Sequence, residues 1–229
     1  MRYLLKGHSG YEEAIYNFQK GAANTTENRL KANIIFYMGL TRFLMYLKRP
    51  ELSCLTGSAG YFKETMTMFE EWQRKYPDSL AKVLGNLGLV YQKLSSEDAS
   101  RGQEYLNEAI GYYQRGLGLS HVKTDKALIQ LNLGTAFVRV GEMGKAITCF
   151  TEAGDGFSMD ANFQFYQATA LANLGIVLTG TGVKDDLDNA GNCLQQACEL
   201  FGKKHPEEYQ WACSHREAVI ILKNQPDER

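Results

Sequence analysis

A short motif returns along this chain at intervals typical of a repeated structural unit. Asn-Leu-Gly occurs in the windows Asn86–Tyr91, Asn132–Phe137 and Asn173–Leu178, each time with a large apolar or aromatic residue three positions after the glycine. The glycines lie 46 and 41 residues apart, and a weaker copy surrounds Gly39, 49 residues before the first of them. Self-similarity at such a period indicates stacked copies of one supersecondary unit.

A second pattern follows each window: a small residue, a large residue four positions later, and a small residue three positions after that. Its copies are Ala109, Tyr113 and Gly116; Ala146, Phe150 and Ala153; and Ala190, Leu194 and Ala197. Both patterns have helical spacing, and a glycine that costs about 1 kcal/mol inside a helix indicates close approach of another helix. The unit is predicted to be a helix–turn–helix hairpin, with Gly141 and Glu142 in the turn of the best copy.

These residues resemble the tetratricopeptide repeat family, whose pattern the segment Leu133–Ala153 matches without gaps. The resemblance extends from about Ser9 to Leu222. The period is longer than the family's usual value of about 34 residues, and insertions at Ser95–Gln103 and Thr181–Asp188 indicate lengthened helices or turns. In its long period, and in the His-Pro turn within Lys203–Ala212, the sequence is similar to the repeat arrays of kinesin light chains and of bacterial signalling proteins.

The resemblance implies an all-α fold, a right-handed α-α superhelix of antiparallel helix hairpins. We predict a single solenoid over residues 1–223 and a frayed tail at 224–229. Its parts are an incomplete first repeat at 1–24, repeats at about 27–76, 78–119, 124–158 and 160–203, and a capping helix at 206–223. Helices are predicted near 11–23, 27–48, 57–75, 78–95, 100–118, 124–140, 143–158, 160–180, 185–203 and 206–223.

The N-terminal segment has the pattern of a second helix only. The small, large and small positions are occupied by Ala14, Phe18 and Gly21. Tyr3–Gly7 is then predicted to be the last turn of a first helix, so the sequence is expected to begin inside a repeat. Because Ile15 and Phe18 would lack a partner and exposed apolar area favours association, we expect self-association through residues 1–48.

Composition narrows the choice of partner. The 229 residues include 25 basic and 26 acidic side chains, a net charge of −1 that indicates neither nucleic acid nor an anionic membrane as partner. The longest apolar run, Ile34–Leu47, has 14 residues including Arg42, which predicts a buried helix rather than a membrane span. No signal peptide is recognised, so we expect a cytoplasmic protein.

The sequence contains no motif for catalysis, metal or cofactor binding. It has no phosphate-binding loop, HExxH or CxxC, and its four histidines are far apart. Gly7–Gly10, which reads GHSG, lacks the spacing of a nucleophile elbow and is predicted to lie in a turn. The five cysteines show no disulfide or zinc pattern, and Cys193 and Cys198 lie on different parts of a helix face. We predict no enzyme activity, no metal and no cofactor.

An asparagine precedes each Leu-Gly, at Asn86, Asn132 and Asn173. In tetratricopeptide solenoids the first helix of each hairpin lines the concave groove, and in some members an asparagine ladder holds a peptide backbone there. An amide suits this role because it donates and accepts hydrogen bonds at once. The same helix faces are predicted to contribute Lys82, Leu89, Lys93, Leu128, Leu131, Thr135, Arg139, Thr169 and Ile176.

The resemblance therefore implies a protein–protein interaction module that binds an extended peptide or partner segment in its groove. The predicted lining suits hydrophobic and acidic residues, but Leu128 and Thr169 stand where a carboxylate clamp of the cochaperone type needs basic residues. Several alternatives stay open. The groove can bind without a ladder, the repeats can be a spacer or a regulatory part of a larger enzyme such as a protease, NTPase or transferase, or they can form a self-assembling scaffold.

Overall fold

The computed structural model describes residues 7–224, over which ten α-helices follow one another with no β-strand. The described chain forms two compact units, the first ending at His121 and the second beginning at Val122. The first unit contains α1 (Gly7–Asn24), α2 (Asn28–Lys48), α3 (Leu52–Glu70), α4 (Pro77–Glu97) and α5 (Gly102–Leu119). The second contains α6 (Lys123–Arg139), α7 (Met143–Ser158), α8 (Gln164–Thr179), α9 (Lys184–Phe201) and α10 (Pro206–Lys223).

Within each unit, every helix packs against the next one in the sequence. Short turns join the helices, and 3-10 turns at Ala161–Phe163 and Gly202–Lys204 precede α8 and α10. The all-α class and the succession of helix hairpins are thus confirmed. A single solenoid over residues 1–223 stays a prediction, and residues 225–229 of the predicted frayed tail lie outside the described residues.

Most helix boundaries agree with those predicted, but α3 was placed about five residues too late. It begins after Glu51, whose extended backbone (φ −125°, ψ 122°) ends the preceding segment. It ends at Glu70 because the chain must leave the helical conformation before Pro77, and Tyr76 does so with φ −133° and ψ 53°. The five residues between Glu70 and Tyr76 form a turn instead of helix.

The helix-to-helix contacts predicted from the glycines are present in both units. A Cβ atom built on Gly88 would lie 2.5 Å from Cε1 of Tyr113, and one built on Gly134 would lie 2.7 Å from Cε1 of Phe150. In the α8/α9 hairpin, Gly175 meets Leu194 at 2.7 Å. The three large residues are at most 2% exposed, and the missing side chain of each glycine leaves the space that the large residue of the paired helix fills.

The weak first copy of the repeat has the same contact. A Cβ atom on Gly39 would lie 2.7 Å from Cε1 of Phe62, which is 1% exposed. Ser58 and Thr65 occupy the small positions around this ring and are fully buried. The Ser58 hydroxyl donates a hydrogen bond of 2.9 Å to the Gly39 carbonyl, and that of Thr65 donates one of 2.8 Å to Tyr61. Because hydroxyl residues replace alanine here, the sequence pattern was not recognised.

Two predictions for the N-terminal segment are wrong. Gly7–Gly10 belongs to α1 rather than to a turn between helices. Ile15 is buried, at 2% exposure, because α1 packs on α2, and Phe18 is half-buried. Among the described side chains of α1 and α2, the exposed aromatic ones are Tyr16 and Tyr37, at 64% and 53%. The rest of the predicted truncated helix, Tyr3–Lys6, lies outside the described residues.

The last helix, α10, is held by little apolar burial. Only Ala212 and Val219 of α10 are buried. Trp211 is 40% exposed and lies against His215. Of the helices within residues 7–224, none combines the length and the apolar character needed to cross a bilayer.

Candidate functional site

The glycine contacts determine where the asparagines point. Each glycine faces the paired helix, and a residue two positions earlier lies about 200° around the helix axis, on the opposite side. Asn86, Asn132 and Asn173 therefore lie on the sides of α4, α6 and α8 that face away from α5, α7 and α9. All three are half-buried, as expected for side chains at the edge of a helix-packing contact.

The same register places the other predicted residues. Relative to the glycine, positions six before, two before, one after and five after fall within about 60° of one another on the helix. We define the α4 face as Lys82, Asn86, Leu89 and Lys93. We define the α6/α8 face as Leu128, Asn132, Thr135, Arg139, Thr169, Asn173 and Ile176.

Each face belongs to one compact unit. The α4 face lies in the first unit, and the α6/α8 face lies in the second, where α6 and α8 contact each other. The α4 face has two exposed lysines, whereas the α6/α8 face has Leu128 and Thr169 at the position of Lys82. Leu131 was predicted to line the groove, but it is only 7% exposed. It lies three residues before Gly134, on the face toward the core, and so belongs to neither face.

Hydrogen bonds within the helices distinguish the three asparagines. The Asn86 side-chain amide donates a hydrogen bond of 2.8 Å to the carbonyl of Lys82, one turn earlier. In the described part of the chain, neither Asn132 nor Asn173 makes a corresponding bond. The amides of the α6/α8 face are therefore better placed than that of Asn86 to donate to a ligand.

The two threonines of the α6/α8 face have hydroxyl protons that are already used. Thr135 donates a hydrogen bond of 3.1 Å to the carbonyl of Leu131, and Thr169 donates one of 2.9 Å to that of Phe165. Their hydroxyl oxygens can still accept a hydrogen bond. Together with half-buried Leu128 and Ile176, they make a surface on which the asparagines are the natural donors to a backbone carbonyl.

A cluster of aromatic and basic side chains in the first unit was missed. Phe69, Trp72 and Tyr76 are in edge-to-face contact, and a shallow depression is lined by Glu27, Arg29, Trp72, Lys75 and Tyr76. The Arg29 guanidinium carbon lies 4.7 Å from the centre of the Tyr76 ring. The cluster was not predicted because residues 71–75, which form the turn that brings these side chains together, were assigned to a helix.

Two tyrosines in helix-packing contacts have strongly raised pKa values. Burial raises the pKa of Tyr91 to about 12, with a further contribution from the nearby Glu108 carboxylate. Burial alone raises the pKa of Tyr113, whose hydroxyl donates a hydrogen bond of 2.9 Å to Gln92. Within residues 7–224, no group of three or more histidine, cysteine or acidic side chains is placed to hold a metal ion.

Comparison with known proteins extends the description of the fold. No protein-family model and no curated protein sequence matches this chain. Among solved structures, it is similar to BtubC (BKLC) from P. vanneervenii, with 16% identity and a TM-score of 0.58 over 96% of this chain and 95% of the other. A protein from a computational design of self-assembling cyclic homooligomers aligns over 94% of this chain and 92% of its own chain, with 11% identity and a TM-score of 0.29. At this identity, the similarity to BtubC (BKLC) concerns the fold.

Proposed function

We propose that this protein is a tetratricopeptide-type repeat module that binds an extended segment of a partner protein and performs no chemistry of its own. The observation that carries the proposal is the common register of three hairpins. In each of them, the same positions relative to the glycine form a half-exposed stripe on the side of the first helix away from the second. A surface that repeats in this way suits a ligand that itself repeats, such as an extended backbone.

The α6/α8 face is the better candidate for this contact. Helices in contact lie about 8–10 Å apart, which is the length of about three residues of extended chain. Asn132 and Asn173 would then bond to backbone groups about three residues apart. Leu128, Ile176 and the threonine methyl groups would contact apolar side chains of the ligand, and Arg139 would favour a nearby acidic one.

The proposal is tested by selecting a ligand and then removing the amides. A display library of linear peptides is screened against the whole protein, and the dissociation constant of a selected peptide is measured by calorimetry. Each lost hydrogen bond is expected to cost about 0.5–1.5 kcal/mol. Asn132→Ala/Asn173→Ala should therefore weaken binding by about fivefold to 150-fold. Asn86→Ala should weaken it less, because its amide already donates to Lys82.

The matched control is Asn192→Ala, which removes an exposed asparagine from the second helix of the α8/α9 hairpin. It should leave the affinity unchanged, and the double variant should keep the helicity and melting temperature of the parent. Equal affinity of the double variant and the control would contradict binding at the α6/α8 face. A selected peptide that perturbs only NMR signals of α7 and α9 would contradict it as well.

Self-association is a second candidate function, favoured by the exposed aromatic residues of α1 and α2. Tyr16 and Tyr37 are more than half exposed, and Tyr37 stacks on Phe18 with ring centres 6.3 Å apart. Tyr16→Ser/Tyr37→Ser should shift the sedimentation profile toward monomer over a concentration series, whereas Tyr209→Ser on α10 should not. A parent protein that sediments as a monomer at all concentrations would exclude this function.

A further inference from the structure

Two cysteines that are distant in sequence meet between α9 and α10. The Sγ atom of Cys198 lies 2.8 Å from that of Cys213, and the two sulfur atoms are not bonded to each other. Cys198 is buried, at 3% exposure, and Cys213 is half-buried. The residues are 15 positions apart and belong to different helices, so no helical spacing indicated the pair.

We propose that Cys198 and Cys213 form a reversible disulfide that fixes α10 to α9 under oxidising conditions. The sulfur atoms of a disulfide lie about 2.05 Å apart, so these two need to approach by only about 0.8 Å. The helices that bear them already pack against each other. A bond can therefore form through small side-chain adjustments, without the backbone movement that distant cysteines require.

The surroundings give the two thiols different roles. Cys213 lines a surface depression that it shares with Pro206, Tyr209, Gln210, Ser214, Arg216 and Glu217. A small oxidant can reach Cys213 there. Cys198 is buried behind it. Burial is the main cause that raises the pKa of Cys198 to about 12, and the hydrogen bond with Cys213 is the second cause. Cys213 is therefore the thiol that reacts first, and Cys198 is the one that resolves the intermediate.

The reaction requires an external disulfide of low molecular weight, such as oxidised glutathione. The Cys213 thiolate attacks one sulfur of that disulfide, forms a mixed disulfide and expels one thiolate. Cys198 then loses its proton to solvent and its sulfur attacks the Cys213 sulfur, so that the second small thiolate leaves. Two protein thiols are oxidised to one disulfide, and one small disulfide is reduced to two thiols. Excess small thiol reverses both steps.

The consequence of the bond concerns the docking of α10. This helix buries only Ala212 and Val219, so the reduced form is expected to release it locally more often than the other helices. A disulfide that closes a loop of about 15 residues lowers the population of the released form by roughly a hundredfold. Redox conditions would thus set how firmly α10, with its exposed Trp211 and Ile221, is held.

The first measurement identifies the bond. The whole protein is equilibrated with mixtures of oxidised and reduced glutathione, alkylated and digested with trypsin. The expected product links residues 185–203 to residues 205–216. Because the first peptide also contains Cys193, the Cys193→Ser variant must keep this linkage. Cys198→Ser must lose the linkage and accumulate glutathione on Cys213.

The second measurement is hydrogen exchange of the α10 amides. Oxidation should slow their exchange roughly a hundredfold in the parent and in Cys193→Ser, and should have no such effect in Cys213→Ser. A linkage through Cys193 would overturn the proposal, as would mixed glutathione disulfides that persist on Cys213 of the parent. Formation of the bond with unchanged exchange of α10 would overturn its assigned effect.

Discussion

The α2/α3 and α6/α7 hairpins make the same contact from sequences that differ in how easily they are recognised. In the first, Gly39 meets the ring of Phe62, and in the second, Gly134 meets the ring of Phe150. A Cβ atom on either glycine would lie 2.7 Å from the ring. Both rings are at most 2% exposed. The backbone separation of the two helices is therefore set in both hairpins by an aromatic ring over a glycine.

The residues beside the ring differ. Ala146 and Ala153 are the buried small residues of α7, whereas Ser58 and Thr65 hold the corresponding positions in α3. A buried hydroxyl group is costly unless it is hydrogen-bonded, and both hydroxyls bond to a backbone carbonyl. The comparison indicates that small volume is what this position requires, and that polarity is accepted when a carbonyl is within reach.

The largest expected change in stability comes from removing the aromatic ring. Phe62→Ala and Phe150→Ala should each lower the free energy of unfolding by about 3–5 kcal/mol, since each removes a buried ring and leaves a cavity. Denaturant unfolding followed by circular dichroism measures this. Tyr16→Ala, at an exposed aromatic residue, should change it by no more than about 0.5 kcal/mol. A loss below about 1 kcal/mol for Phe62→Ala alone would break the equivalence of the two hairpins.

A smaller effect is expected when the glycines acquire a methyl group. Gly39→Ala and Gly134→Ala force a buried ring to move, at a cost of about 1–3 kcal/mol that exceeds or offsets the gain of about 1 kcal/mol in helix propensity. Gly111→Ala is the control, because a Cβ atom there meets nothing within 4 Å. It should stabilise the protein by up to about 1 kcal/mol. Stabilisation by all three substitutions in thermal unfolding would show that the rings adapt freely.

These contacts explain how much of the molecule could be predicted from its sequence. Gly88, Gly134 and Gly175 define the hairpins because helical periodicity is local, and three copies in the same register indicate which residues face each other. The start of α3 was missed because it depends on the extended backbone at Glu51, which no periodicity reports. Ile15 was expected to be exposed because the packing of α1 on α2 was not anticipated.

The candidate site was predictable in its register but not in its chemistry. The spacing from the glycines placed the asparagines of α6 and α8 on the side away from the paired helix. Spacing could not reveal that Asn86 donates to Lys82, because that choice depends on side-chain rotamers. The meeting of Cys198 and Cys213 is a contact between two helices, and it depends on how α10 packs on α9.

The smallest expected effect decides whether the hydroxyl groups of α3 stabilise the hairpin or are only tolerated. Ser58→Ala removes a hydroxyl that donates to the Gly39 carbonyl, and it leaves no buried donor unpaired. The free energy of unfolding is expected to fall by about 0.5–1.5 kcal/mol, which is the net contribution of one hydrogen bond. In α7, the corresponding change Ala146→Ser should alter stability by less than about 1 kcal/mol, because the new hydroxyl would lie in reach of the Gly134 carbonyl by the same register.

The control for this last pair is Ser214→Ala on α10. Its hydroxyl also donates to a backbone carbonyl, that of Gln210 at 3.0 Å, but it is exposed to water. Water replaces that bond when the hydroxyl is removed, and alanine favours helix, so Ser214→Ala should be neutral or stabilising by a few tenths of a kcal/mol. If Ser58→Ala behaves as Ser214→Ala does in denaturant unfolding, the buried bond adds nothing net, and alanine suits both hairpins equally. A loss at Ser58 alone would mean that the α2/α3 hairpin has a second source of stability beside its ring.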